Sequence, residues 1–594
     1  MKNMINISKI CLCIILLTIS CKDEFLDISP LNEFSSADVW KDQALAKSYI
    51  NGIYINLNQS FQKRMKCCFS DEGLRRDDAA SLRFNKSEMT PDGIPSWGQE
   101  NWQSLYLSIR RCNLFLENIE AATFDKDAMI GEVRFLRAWN YFTLTNLYGG
   151  VPIVAKSYKL EDDFLINRSS YEECINFIVE DLDQAASVLP LVQSGNDNGR
   201  ATKGAALALK ARVLLYAASD LHNTNVFPNY SNPELTGYTD ISASARTSRW
   251  QAAKDAAKVV IDLNAYSLYK PEPAPTDSVA KNFEELFILK QTVESIWVRF
   301  QSIGVPVIGE NVNSASLMNP PNGWGGQSNN VPTGNLVDAF EMRDGTKFDW
   351  NNPAHAAFPY KNREPRFYAS ILYEGAKWRP RPSYSAGLDP VGIVNVGYFE
   401  RWNSATNTMW VEPGLDSRSG PFEPNNSSPT LYNARKFLDP AVLPSAGTRQ
   451  AVSWPYIRYA EVLLDYAEAS IELGLDDEAR TYINMVRKRA GLPGLTESGA
   501  ELRARYRNER FIELMYEDHR FFDVRRWVIG PQAYGNTYKA NVTYKLLPDK
   551  TTSPVPTIFH EIIERRAWID KAYFFPILRS EMNKNELLVQ NPDY

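Results

Sequence analysis

The chain has 594 residues, with 65 Lys or Arg against 71 Asp or Glu, for a formal net charge of −6. That near-balance argues against a nucleic-acid-binding surface as its principal role. With 44% hydrophobic residues, 23% charged residues and a mean hydropathy of −0.35, it is neither a bundle of membrane helices nor a disordered polymer.

The first element is a targeting segment. Lys2 and Lys9 supply positive charge, and Ile10 to Ile19 is an apolar run far shorter than the ~20 residues of a spanning helix. The run ends in Leu17-Thr18-Ile19-Ser20-Cys21, which resembles a bacterial lipobox, although Thr18 stands where Leu is usual. Residues 1–20 are therefore expected to be a lipoprotein signal and Cys21 the acylated residue. Lys22, Asp23 and Glu24 then resemble the surface-export signal of one group of Gram-negative bacteria. An ordinary secretory signal cut near Ser20 is the alternative. Downstream, only Cys67, Cys68, Cys112 and Cys174 remain, without a CxxC pair, so no disulfide framework or thiolate zinc site is expected. Adjacent Cys67 and Cys68 read as partly buried thiols, with a strained vicinal disulfide as the alternative.

Helical signals follow. Asn101 to Ile119 and Asp127 to Tyr148 read as a helix pair, the second stopped by Gly149 as a positive-φ cap and by Pro152. Ser169 or Ser170 with Glu172 or Glu173 forms a capping box; Ile175, Ile178, Leu182, Ala185 and Leu189 then share one face until Pro190. An Ala- and Leu-rich helix from Thr202 and another from Trp250 look like a tetratricopeptide-type hairpin, a pattern repeated from Arg458 and Asp476. The pairs are scattered rather than tandem, so long excursions must separate them.

The longest excursion is residues 301–450, which hold 16 of the 34 Pro and 14 of the 31 Gly and cannot sustain regular helices. Trp324, Trp350, Trp378, Trp402 and Trp410 lie in it, either as rings of a recognition surface or as staples that bury loops against the body. In the stretch that ends at Trp527, Arg510, Glu513, Glu517, Arg520 and Arg525 alternate with Phe511, Leu514 and Phe521. That pattern reads as a helix buried on one face with paired charges on the other.

Catalytic patterns are scarce. GxSxG, HExxH, the P-loop, GxGxxG and the calcium-loop motif are absent, and the four His (His222, His355, His519, His560) leave few members for a triad or metal site. No cofactor or metal is expected. Acidic pairs such as Asp71-Glu72 and Asp77-Asp78 could serve a glycosidase only with carboxyls roughly 5 to 9 Å apart, which adjacency does not establish.

Several segments together carry a family resemblance. They are KDEFLDISP after Cys21, EVRFLRAWNYFTLTNLYGGVPIV from Glu132, PTGNLVDAFEMRDG from Pro332, YIRYAEVLLDYAEA from Tyr456, RNERFIELMYEDHRFFDVRRW ending at Trp527, and FFPILRSEMNKNELLVQNPDY at the end. In this order the mature chain resembles the SusD/RagB family of outer-membrane nutrient-uptake lipoproteins nearly end to end. The resemblance implies an all-α fold of four tetratricopeptide-like pairs against a loop-rich region with little β structure, and no catalysis. It also implies a glycan or peptide ligand held on the outer face of the cell and a lid over a SusC-like TonB-dependent transporter, while the run ending at Ser20-Cys21 and the lack of a later apolar span make the lipid the expected sole membrane attachment. The implied parts are 21–270, mostly helical, and 271–594, which includes the loop-rich 301–450, the two packed as one compact unit.

A pyranose offers C–H groups on a face and hydroxyls at its rim, so recognition needs an exposed ring beside Asp, Asn or Arg. Two segments supply both: Ser70 to Asn101, with Asp71, Arg75, Asp78, Trp97 and Asn101, and Asn319 to Asn330, where Gly residues flank Trp324. Trp378 and Trp402 are further candidates. Two other classes remain open: a secreted helical glycoside hydrolase and a repeat scaffold for protein or peptide partners.

Overall fold

In the computed structural model the described residues are 39–57, 65–75, 79–94, 100–159, 161–300, 315–442, 450 and 452–594. Cys21, Lys22, Asp23, Glu24, Asp77, Asp78 and Trp97 lie outside them. Short polar side chains set where the long helices begin. Asp42 caps α1 (Gln43–Ile55), and Asn101 caps α2 (Trp102–Asn118) by accepting from the Ser104 amide at 3.0 Å. Helix α3 (Asp127–Tyr148) ends at Gly149, where φ is 76° and a Cβ would lie 2.3 Å from the Leu235 carbonyl oxygen. Helix α4 (Tyr171–Val188) carries the expected capping box: Ser170 Oγ accepts from the Glu173 amide at 3.2 Å, and Glu173 Oε2 from the Ser170 amide at 2.8 Å.

Thr202 caps α5 (Lys203–Ala218). Helix α6 (Ala243–Asp262) starts ahead of the expected Trp250 because Ser242 caps it, accepting from the Ala245 amide. Next come α7 (Val279–Ile288), α8 (Tyr459–Glu472), α9 (Asp476–Arg489), α10 (Gly499–Glu513) and α11 (His519–Arg526). Helices α2 to α6, then α8 and α9, pack side by side in that order, so α8 docks on α6 although residues 263–458 separate them. Small side chains permit the close crossings: Ala205, Ala208 and Ala211 of α5 and Ala253 and Ala257 of α6 are buried.

Strands are short. β1 (Gly73–Arg75) pairs antiparallel with β3 (Asn330–Pro332), and β2 (Ser295–Arg299) with β8 (Trp454–Arg458). β4 (Ile371–Leu372) pairs with β7 (Asn433–Ala434). β5 (Tyr398–Asn403), β6 (Thr408–Pro413), β9 (Asn536–Tyr544) and β10 (Thr557–Arg565) form one sheet in the order β10-β9-β5-β6. The small sheets lie chiefly in and around the loop-rich part, and the fold is mostly helical, as the resemblance implies.

One expectation is corrected. The stretch ending at Trp527 is two helices, α10 and α11, broken at residues 514–518, where Tyr516 and Asp518 have φ of 61° and 68°. Its charges are mostly buried, not displayed on a wet face. Glu513 receives Arg458 at 2.6 Å, Arg366 at 3.0 Å and also Arg489. Arg458 also reaches Glu294 (2.7 Å) and Glu517 (2.6 Å), Arg366 reaches Glu364 and Glu509, and Lys436 reaches Glu517 (2.7 Å). Arg487 joins Glu509 to Glu341, which also receives Arg505. Buried charge is tolerated only when so completely paired.

Candidate functional site

The two segments singled out for ligand contact are brought together. In β1–β3, Gly73 lies opposite Pro332 and Arg75 opposite Asn330. Asn330 Oδ1 accepts from the Met65 amide at 3.1 Å, and its Nδ2 donates to Asn319 Oδ1 at 3.1 Å, so one side chain ties the stretch just ahead of the first segment to the start of the second. This seam joins the helical row to the loop-rich part. The Arg566 guanidinium supports it by donating to the carbonyls of Ser70 and Gly73.

Several predicted contacts turn out to hold structure. Asp71 is bound by the Arg520 guanidinium at 2.7 and 2.6 Å. Glu72 is wholly buried, accepts from the Tyr516 amide at 2.9 Å, and is pushed up to about 8 by burial, against the pull of that N–H. The Asp71-Glu72 pair is thus engaged by the fold rather than facing a glycosidic bond. Asn101 caps α2. Cys67 and Cys68 are fully buried free thiols with sulfurs 4.0 Å apart, where partial burial was expected. Arg75 remains half-buried on β1.

Trp324 is corrected. It is 0% exposed, donates Nε1–H to the Arg379 carbonyl at 3.2 Å, and packs edge-on against Trp378 at 5.3 Å. The Arg381 guanidinium, held by Asp416 at 2.8 Å, lies 4.0 Å from its ring centroid. Trp378 is buried as well. Both rings are staples, with no face left for a sugar in this conformation. The glycines expected to expose Trp324 do the reverse: a Cβ on Gly323 would lie 1.8 Å from Asp416 Oδ1, so glycine permits the close approach.

Trp402 is half-buried and has the Lys550 ammonium 4.2 Å from its ring centroid. Across the same hairpin, Trp410 is 48% exposed, the only exposed tryptophan among the described residues. It stands opposite Arg401, which pairs with Glu412 at 2.7 Å. The apolar run Met409-Trp410-Val411, with its aromatic and β-branched members, carried that strand signal within a chain region read as loop.

Next to the seam, Lys66 is buried between Glu100 (2.6 Å) and Asp518 (3.1 Å). Burial alone would lower its ammonium pKa, but the two carboxylates hold it above the ordinary value. The cavity there, walled by Lys66, Trp139, Tyr456 and His519, measures about 60 Å³, room for about two waters and not for a sugar. Behind Tyr456 opens a groove of about 300 Å³ with Asn51, Tyr54, Arg200, Arg299 and Phe300 along it, which combines rings with amides and guanidinia. Among the described residues no group of three or more His, Cys, Asp or Glu is placed to hold a metal ion, and no helix is long and apolar enough to cross a membrane.

Residues 293–594, more than half of the chain, match the model of the SusD family. The chain belongs to the SusD family. Residues 24–215 match a second family model, described as starch-binding associating with outer membrane. Among SusD-like relatives, protein P38 of Formosa agariphila is 25% identical over 564 residues, covering 89% of this chain and 94% of its own. A crystal structure of a SusD-like protein from Bacteroides fragilis superimposes with a TM-score of 0.73 at 29% identity, covering 95% of this chain and all of that one. A SusD-like carbohydrate-binding protein of the same organism shares the fold with a TM-score of 0.69 at 23% identity, covering 93% of this chain and all of that one.

Proposed function

We propose that this SusD-family chain is a surface lipoprotein that captures oligosaccharide and passes it to a SusC-like TonB-dependent transporter. One observation carries the reading: the β1–β3 pairing ties the segment that holds Arg75, and in sequence Asp78 and Trp97, to the loop-rich part. Family membership and the starch-binding description of the model matched by residues 24–215 support a glycan as ligand. That model's outer-membrane description supports the location, with Cys21 as the lipid anchor and Lys22, Asp23 and Glu24 directing export to the outer face.

In this reading Trp97 stacks on the sugar, while Arg75 and Asp78 take its hydroxyls. The lipid and the transporter interface raise effective concentration, so the protein's own affinity for glycan can be weak. Calorimetric titration with a neutral oligosaccharide, alongside a thermal melt, tests the assignment. Trp97→Ala is expected to cost about 1 to 3 kcal/mol of binding with the melt unchanged. Trp324→Ala is expected to do the opposite, lowering stability by about 3 to 5 kcal/mol through the cavity it leaves. Unchanged affinity in Trp97→Ala would move the site elsewhere, first to Trp410. Co-purification of a large β-barrel protein from detergent-solubilised membranes tests the partner, and recovery of the lipoprotein alone would count against it.

A further inference from the structure

A cleft of about 630 Å³ opens in the loop-rich part, between residues 342–344 and the turn at 358–362. Its walls are pre-set by the backbone. The Arg343 amide donates to the Asn362 carbonyl at 2.8 Å, and Met342 bridges antiparallel to Arg363. Behind them the buried Arg363 guanidinium donates to the carbonyls of Pro359 (2.9 Å) and Phe340 (2.7 Å) and lies 4.3 Å from the Phe348 ring centroid. Such a cleft keeps its shape without a ligand, and its volume falls within the ~300 to 1,000 Å³ of small-molecule sites.

The lining carries net positive charge. Arg343 and Lys361 both face the cleft, and among the described residues neither side chain has a carboxylate or hydrogen-bonding partner. Asp344 does not neutralise them, because its Oδ1 accepts from the amide and hydroxyl of Thr346 at 3.0 and 2.6 Å. By contrast Arg366 is paired with Glu509, Arg381 with Asp416 and Arg401 with Glu412. Beside them stand Phe358, 52% exposed with the Lys361 ammonium 5.6 Å from its ring centroid, and the Asn362 side-chain amide, which has no partner among the described residues. His355 also lines the cleft, its Nδ1 accepting from the Asp349 amide at 3.2 Å and its Nε2 lying 3.4 Å from Asn352 Nδ2. A neutral hexose would satisfy the ring and the amide but would bring no counter-charge to Arg343 and Lys361.

We propose that this cleft is a second saccharide subsite, selective for a sugar unit that carries a carboxylate or a sulfate. Arg343 and Lys361 hold the anionic group, Phe358 meets a C–H face, and Asn362 and His355 take hydroxyls. The proposal rests on the carbohydrate-binding reading above and adds a charge requirement to it.

Calorimetry on the mature chain with three probes tests it: an oligouronate, a sulfated neutral-backbone oligosaccharide of equal length, and the unsulfated form of the latter. Arg343→Ala combined with Lys361→Ala is expected to weaken whichever acidic probe binds by about tenfold or more, with the unsulfated probe unaffected. Binding of the acidic probe to the unaltered protein is expected to weaken between ~50 and ~500 mM salt. Both side chains are exposed, so the thermal melt is expected to be unchanged; a charge-reversed pair, Arg343→Glu with Lys361→Glu, should abolish acidic binding outright. Which acidic probe binds tells carboxylate from sulfate. If the unsulfated probe binds while neither acidic probe shows a dependence on Arg343 and Lys361, the subsite is overturned and the carbohydrate reading stands. If no saccharide binds at all, both fall.

Discussion

Glu513→Gln tests the buried ion-pair lattice most directly. Glu513 is 0% exposed, and its carboxylate receives three guanidinia, those of Arg458, Arg366 and Arg489. Its buried neighbours balance: Arg366, Lys436, Arg458, Arg487, Arg489 and Arg505 against Glu294, Glu341, Glu364, Glu509, Glu513 and Glu517. Glutamine keeps the shape and one acceptor oxygen, yet removes the charge and turns an N–H₂ group toward cations. Arg458 would retain Glu294 and Glu517, and Arg366 would retain Glu364 and Glu509. Breaking one member of a buried pair costs about 3 to 5 kcal/mol; because these arginines keep other partners, about 3 kcal/mol is expected. That is a large fraction of a total stability of about 5 to 15 kcal/mol. Urea unfolding followed by tryptophan fluorescence measures it. The control is Asp92→Asn, whose partner Arg579 is as exposed as Asp92 itself, so no measurable change is expected. Burial would raise the Glu513 pKa, but the arginines outweigh it and hold the carboxyl far below the ordinary 4.5. A depressed folded-state pKa gives stability that is fully present above about 4.5 and lost as pH falls below it. The gap between the two proteins should therefore narrow on acidification. A Glu513→Gln midpoint equal to the unaltered protein at pH 7 would refute the argument that this carboxylate is charged and essential to the lattice.

Glu72 titrates with the opposite sign. Its folded pKa is raised from 4.5 to about 8, so stability is full below about 4.5 and falls by roughly 1.4 kcal/mol per pH unit up to about 8. Glu72→Gln should match the unaltered protein near pH 4.5 and exceed it at pH 8 in the same urea assay, and a pH-independent difference would count against the shift. His222, buried against Tyr171 with its ring centroid 3.9 Å away, is lowered to about 4 by burial. The protein should accordingly lose stability as pH falls from about 6.5 to 4, and His222→Gln should flatten that limb of a pH–stability curve. Cys21→Ala should release soluble protein from the outer-membrane fraction, and neutral residues at Lys22, Asp23 and Glu24 should leave it lipidated but shielded from protease added to intact cells. Membrane retention of Cys21→Ala after a salt wash would remove Cys21 as the anchor.

The helical row was legible because its signals are local. The Ser170–Glu173 box and the Gly149 stop each need only residues within one turn, and both appear where expected. The start of α6 was missed because Ser244, Arg246, Thr247 and Ser248 mask the apolar face, although Ser242 was there as a cap. The fate of the charges around Glu513 was not legible at all. A helical period tells that Arg510 and Glu513 share a face, not that Glu294, Arg366 and Lys436, far away in the chain, arrive to bury it. Trp324 misled for a related reason: glycine beside an aromatic ring marks room, and only the position of Arg381 and Asp416 decides whether that room holds solvent or protein.

The lattice members run from Glu294 to Glu517, and almost every one of them finds its counter-charge in a different segment. A chain emerging from its amino end therefore carries Arg366 and Lys436 without Glu509, Glu513 and Glu517 until the last helices have been made. The loop-rich part is for that reason not a graftable cassette. Exchanging it between relatives, or splitting the chain anywhere across this span, would strand a guanidinium or a carboxylate in an apolar interior unless the matching residues on α9, α10 and the 514–518 break moved with it. Variation in what these proteins bind can thus accumulate at loop tips and cleft rims, whereas the stems beneath them are bound to change only in concert.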